Sequence, residues 1–207
     1  LKIGKAEFAV VSSYAKIIPK DILELFPIGI IGVHPSLLPK YRGSSPIQSA
    51  ILAGETETGI TLYLLDEKID HGPILAKSIL PIANSDTYKT LAKKLAELGG
   101  ELLIATLPKF LAGEIKPQPQ DETNAIYTKK FKTEDAFIPP EDLEKALAGD
   151  MRISESIDRK IRALNPEPGT WTMRNKKRTK ILEAALEKNR LVLKKIQAEG
   201  EKPKIIS

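Results

Sequence analysis

The run Ile28-Gly29-Ile30-Ile31-Gly32-Val33, closed by His34-Pro35 and followed by Pro39, constrains the chain more than any other stretch. A short, continuous, β-branched apolar run suits a strand covered on both faces of a parallel sheet, because neither face there accepts the polar half of an alternating pattern. Functional loops in such sheets lie beyond the carboxyl ends of the strands. His34 leaves the strand at that point. Pro35 and Pro39 each fix a φ angle in the loop that follows, which limits the directions the imidazole can take.

A second constellation lies in Thr61 to Leu75, where two apolar segments flank a loop that carries Asp70. A carboxylate beside an imidazole orients it, favours the protonated form and raises its pKa from about 6.5. His34 is therefore expected to act as a general acid or oxyanion partner sustained by Asp70. Asp70-His71-Gly72-Pro73 is also ordinary turn chemistry. His34, Asp70 and His71 could also be read as a two-His-one-carboxylate metal set, since the chain has two His in all.

Taken together, Gly32-Val33-His34-Pro35-Ser36-Leu37-Leu38-Pro39-Lys40-Tyr41-Arg42-Gly43, then Glu57-Thr58-Gly59-Ile60-Thr61 and Asp70-His71-Gly72-Pro73-Ile74-Leu75, resemble the folate-dependent formyltransferases. Pro46-Ile47-Gln48, Gln120-Asp121-Glu122-Thr123 with Tyr127, and Arg162-Ala163-Leu164-Asn165-Pro166 extend the resemblance over nearly all of the chain and look like the branch acting on methionyl-tRNA. A purine-pathway relative would share the His and Asp motifs without the later region.

The resemblance implies transfer of a formyl group from 10-formyltetrahydrofolate to the methionyl amine of initiator methionyl-tRNA, without a metal. His34 and Asp70 would be catalytic, and Ser36, Leu37, Leu38 and Pro39 would line the folate site. One position departs from the family pattern Asn-Val-His, because Gly32 stands where the Asn belongs. The missing amide would help hold the formyl oxygen. Losing one such donor costs about 2.7 to 4 kcal/mol of transition-state stabilisation, so Gly32→Asn is expected to raise the rate. The alternatives are another folate-dependent amine formyltransferase, such as one acting on a sugar amine, or a tRNA-binding homologue with impaired catalysis.

The expected fold class is α/β. A Rossmann-like formyltransferase domain lacking its first βα units would occupy 1–115, a proline-rich linker 116–130, and an OB-like β-barrel 131–207, with the chain short of the family at both ends. Leu91, Leu95, Leu98, Leu102 and Ala105 form the apolar stripe of a long helix capped by Asp86. Gly99-Gly100 is expected to bend or break it. Helices are predicted over 141–149 and 154–163, then strands from Gly169 to Arg174, Thr179 to Leu186 and Leu191 to Ala198, with a turn at Asn175-Lys176.

Charge divides the chain unevenly. Residues 151–207 hold 15 Lys and Arg against 7 Asp and Glu, a net +8, whereas residues 1–150 hold 17 against 20, a net −3. A basic second half suits a substrate with a phosphate backbone, and Arg42, Lys176, Lys177 and Arg178 are the candidate phosphate contacts. The chain has no cysteine, which is compatible with a reducing cytoplasm, the expected location. No apolar run approaches the roughly 18 residues of a membrane span. A monomer is expected.

Overall fold

The computed structural model describes residues 6–14, 16–188 and 190–206. In chain order the elements are β1 (Phe8–Ser12), α1 (Lys20–Leu23), β2 (Gly29–His34), β3 (Arg42–Gly43), α2 (Pro46–Ala53), β4 (Glu57–Leu64), β5 (Ile74–Pro81) and α3 (Tyr88–Leu111). A 3-10 turn (Glu122–Asn124) and β6 (Tyr127–Thr128) follow, then α4 (Pro140–Ala148), α5 (Met151–Leu164), β7 (Trp171–Arg174), β8 (Lys177–Glu187), β9 (Arg190–Ala198) and β10 (Lys204–Ile205). They form two compact units, one built from residues up to 50, 55–84 and 89–129, the other from 51–54, 85–88 and 130 onward.

The first unit holds a four-stranded sheet in the order β1-β2-β4-β5. Only β1 and β2 run parallel; β2 with β4 and β4 with β5 are antiparallel. The sheet is thus mixed, not parallel as the apolar run suggests. β4 and β5 are joined by one short loop, and a short loop can only return the chain as an antiparallel neighbour. The run itself behaves as expected, with Ile30 and Ile31 buried in β2.

α3 continues unbroken through Gly99-Gly100, where a bend was expected. A Cβ on Gly99 would lie 3.1 Å from Val33 Cγ1 and 3.6 Å from Ile60 Cδ1, so this glycine lets the helix approach the sheet closely. Packing against β2 and β4 offsets the propensity cost of about 1 kcal/mol. Leu91, Leu95, Gly99 and Thr106 form the buried stripe, and Ala105 is exposed.

The second unit pairs helices with an antiparallel sheet in the order β10-β9-β8-β7. Asp150 caps α5 by accepting a hydrogen bond from Ile153 N at 3.1 Å, and Gly149 ends α4 in the left-handed conformation at φ 106. Ile138, Leu143, Ala146, Ile157, Ile161, Ile181, Leu191 and Leu193 form its core. Asn175 and Lys176 both have positive φ, 49 and 63, as a two-residue hairpin turn between β7 and β8 requires. Among the described residues β7 and β10 are the outer strands of this antiparallel sheet, which does not close on itself as a complete barrel would. No described helix is long and apolar enough to cross a membrane.

Candidate active site

β2 carries His34 to its carboxyl end, where the residue is 6% exposed. Its Nε2 lies 2.9 Å from the Tyr41 carbonyl oxygen. A carbonyl only accepts, so Nε2 carries the proton and donates it. Nδ1 faces Asp70 Oδ2 at 3.6 Å. Burial lowers the His34 pKa below 6.5, and this outweighs the Asp70 charge and the Tyr41 carbonyl, which both push it up. The sequence-based expectation of a raised pKa is thereby corrected. A neutral imidazole with a lone pair on Nδ1 is a proton acceptor.

Asp70 is held from three sides. Its Oδ1 accepts from the Tyr63 hydroxyl at 2.6 Å, its Oδ2 from Gly43 N at 2.7 Å, and its carbonyl from Gln120 Nε2 at 2.9 Å. The backbone needs that support, because Asp70 sits at φ 47, a conformation that costs a non-glycine residue of order 1 to 3 kcal/mol. Gly72 completes the loop by close approach, since a Cβ there would lie 1.9 Å from the Leu64 carbonyl oxygen.

Arg42 is not the phosphate contact expected of it. Its side chain is 0% exposed, and the guanidinium donates to Gln120 Oε1 from Nε and Nη2, to both Glu122 oxygens, and to the Tyr127 hydroxyl. Both Arg42 and Glu122 respond: the guanidinium pKa is raised chiefly by the Glu122 hydrogen bond, and the Glu122 pKa is lowered by the same bond. β3 pairs with β6, Arg42 opposite Tyr127 and Gly43 opposite Thr128. Arg42 therefore fixes a strap whose neighbouring residues bracket the site, Tyr41 through its carbonyl to His34 and Gly43 through its N–H to Asp70.

The loop after His34 is equally committed. Of the segment expected to line the folate site, Ser36 and Leu38 are 0% exposed. Ser36 Oγ donates to the Lys40 carbonyl at 2.6 Å. Thr61 Oγ1 donates to the Ser36 carbonyl at 2.7 Å and accepts from Leu38 N at 3.0 Å, while Lys77 Nζ donates to the Leu38 carbonyl. Burial lowers the Lys77 pKa. Leu37 and Pro39 keep partly exposed apolar surface.

His71 turns elsewhere, with Nδ1 2.5 Å from Asp66 Oδ2 and Nε2 3.4 Å from Glu122 Oε1. Among the described residues no three His, Cys, Asp or Glu are arranged to hold a metal. In the second unit Lys176 and Lys177 are exposed at the β7–β8 hairpin. Arg178 instead lies over the Trp171 ring, its Cζ 4.3 Å from the centroid. The sequence alone assigns no role to Thr61, Tyr63, Lys77 or Gln120; Gln120 lies in a proline-rich stretch that resembles a tether, and the other three lie in ordinary strand patterns.

Residues 1–107 match the formyl transferase family and residues 152–195 the formyl transferase C-terminal domain. A methionyl-tRNA formyltransferase of Kosmotoga olearia is 41% identical over 186 residues, covering 90% of this chain and 57% of that protein. The solved methionyl-tRNA formyltransferase of Clostridium thermocellum superposes with a TM-score of 0.67 at 26% identity, over 93% of this chain and 77% of that one. HypX of Aquifex aeolicus, solved in complex with tetrahydrofolic acid, gives a TM-score of 0.72 over 87% of this chain and 30% of its own, and at 21% identity this likeness shows the fold alone. The chain spans about half the length of the curated relatives it matches, 57% and 55% for two of them. The match over its first 107 residues, continued by the C-terminal match, makes this chain a member of the formyl transferase family.

Proposed function

We propose that the chain transfers a formyl group from 10-formyltetrahydrofolate to the amino group of methionine on initiator methionyl-tRNA. The observation that carries the chemistry is the buried His34 with Nε2 on the Tyr41 carbonyl and Nδ1 3.6 Å from Asp70. The relatives named methionyl-tRNA formyltransferase and the basic second half of the chain support the acceptor.

The donor supplies a formyl carbon activated by its attachment to N10. Leu37 and Pro39 fit a flat ring system through their partly exposed apolar surface, and the buried Ser36 and Leu38 hold the segment that presents it. His34 Nδ1 takes the proton the attacking amine loses, and Asp70 stabilises the imidazolium so formed. Tyr41 holds the ring by its carbonyl throughout. The imidazolium then returns its proton to the departing nitrogen, which leaves His34 neutral again.

Incubation of the full chain with labelled donor and three acceptors tests this reading. Formylation of methionyl-tRNA is expected; transfer only to glycinamide ribonucleotide or to a sugar amine would refute it. A second result concerns the hairpin. Lys176→Gln and Lys177→Gln together should weaken tRNA binding and flatten the slope of log K against log salt by roughly 0.7 to 0.9 for each phosphate that is no longer neutralised. An unchanged slope would mean that these lysines are merely solvated.

A further inference from the structure

Gly32 and Tyr63 sit directly opposite each other where β2 pairs with β4. A Cβ on Gly32 would lie 2.3 Å from Tyr63 Cε1, 2.6 Å from Cζ and 2.8 Å from Leu65 Cδ1, so the phenol ring, with the tip of a flexible leucine beside it, already fills the space into which any side chain at position 32 would grow. Real Cβ atoms do not come that close to a ring carbon, and a tyrosine 6% exposed has little room to retreat. Opposite residues on one face of an antiparallel pair pack against each other, and a glycine leaves its partner free to fold across the strand. In the β4–β5 pairing the register shifts between Leu62 and Tyr63, with the extra residue, Leu75, on β5.

The ring does more than fill space. Its hydroxyl donates to Asp70 Oδ1 at 2.6 Å, and its plane stands at 89° to the His34 ring with centroids 6.5 Å apart. The carboxylate that faces His34 is thus tied by one oxygen to β4 and by the other to the Gly43 amide. Burial and the Asp70 charge raise the Tyr63 pKa, which keeps the phenol a donor at neutral pH.

We propose that Gly32 and Tyr63 act as one unit, in which the tyrosine takes the space of the absent side chain at position 32 and serves as a positioning residue that holds Asp70 against His34. The proposal rests on the formyl-transfer reading above. It reverses the expectation that Gly32→Asn would help, because the asparagine would have to displace the ring that anchors the carboxylate.

Two measurements test it. Tyr63→Phe keeps the ring and removes the donor, so kcat for formyl transfer should fall about tenfold or more, the value of one hydrogen bond to a charged group, with KM for both substrates unchanged. Wild-type kcat in Tyr63→Phe would overturn the positioning role. The second is a cycle of Tm values, which needs no substrate: Gly32→Ala should lower Tm clearly with Tyr63 present and much less in Tyr63→Ala, where only the flexible end of Leu65 still meets the added methyl. An equal loss in both backgrounds would overturn the shared-space claim. An unmodified chain that transfers no formyl group would sink the functional reading, and the Tm cycle would still decide whether ring and position 32 compete.

Discussion

His34→Gln in the full chain is expected to lower kcat for formyl transfer by about 10² to 10⁴, the range for a positioned acid-base group, while the Kd for tRNA stays unchanged. The residue is buried and its partners are the Tyr41 carbonyl and Asp70, so it offers nothing to a phosphate backbone. The pH dependence separates two roles for it. Burial lowers the His34 pKa, so a base role predicts full activity above 6.5 and loss only as pH falls through the lowered value. An imidazolium role predicts the reverse, with activity falling as pH rises. Stability follows the same sign: the unfolded chain binds a proton here more readily than the folded one, so the fold loses stability as pH drops below 6.5. His34→Gln should flatten that acid limb in Tm against pH. An activity maximum on the acid side of 6.5 would restore the imidazolium expected from the motif alone.

How much of this is legible in the sequence differs from residue to residue. His34 and Asp70 are identifiable because two short motifs mark them, and the structure brings them together. The charge state of His34 is not, since it depends on the balance between burial and one carboxylate, and burial belongs to the three-dimensional fold. The strands of the second unit and the Asn175-Lys176 turn are legible because alternation and turn residues are local signals. Sheet direction is misread for a physical reason: a strand buried on both faces has the same composition with parallel or antiparallel neighbours, and only pairing partners distinguish them. Gly32 is legible as a departure from a pattern but illegible as a fit, because its meaning depends on Tyr63, 31 positions away and directly across the pairing.

Arg42 shows the same limit most sharply, and its replacement tests the strap. In Arg42→Ala, Gln120 Oε1 loses both donors and Glu122 loses its guanidinium partner, so the 120–128 segment is then held to β3 by backbone pairing and the Thr128 hydroxyl, which donates to the residue-42 carbonyl. The strap holds Tyr41 against His34 and Gly43 against Asp70. A shift of about 1 Å in either group is enough to cost about 10² in rate, so kcat should fall by that order and Tm should drop with it. Arg42→Lys should recover little, because a single ammonium cannot reproduce the planar fork that meets Gln120, Glu122 and Tyr127 together. Affinity for tRNA and its salt slope should be the same in all three proteins. A phosphate contact would behave differently: Arg42→Ala would flatten the salt slope by about the value of one neutralised phosphate, Arg42→Lys would restore it, and kcat at saturating tRNA would hardly move.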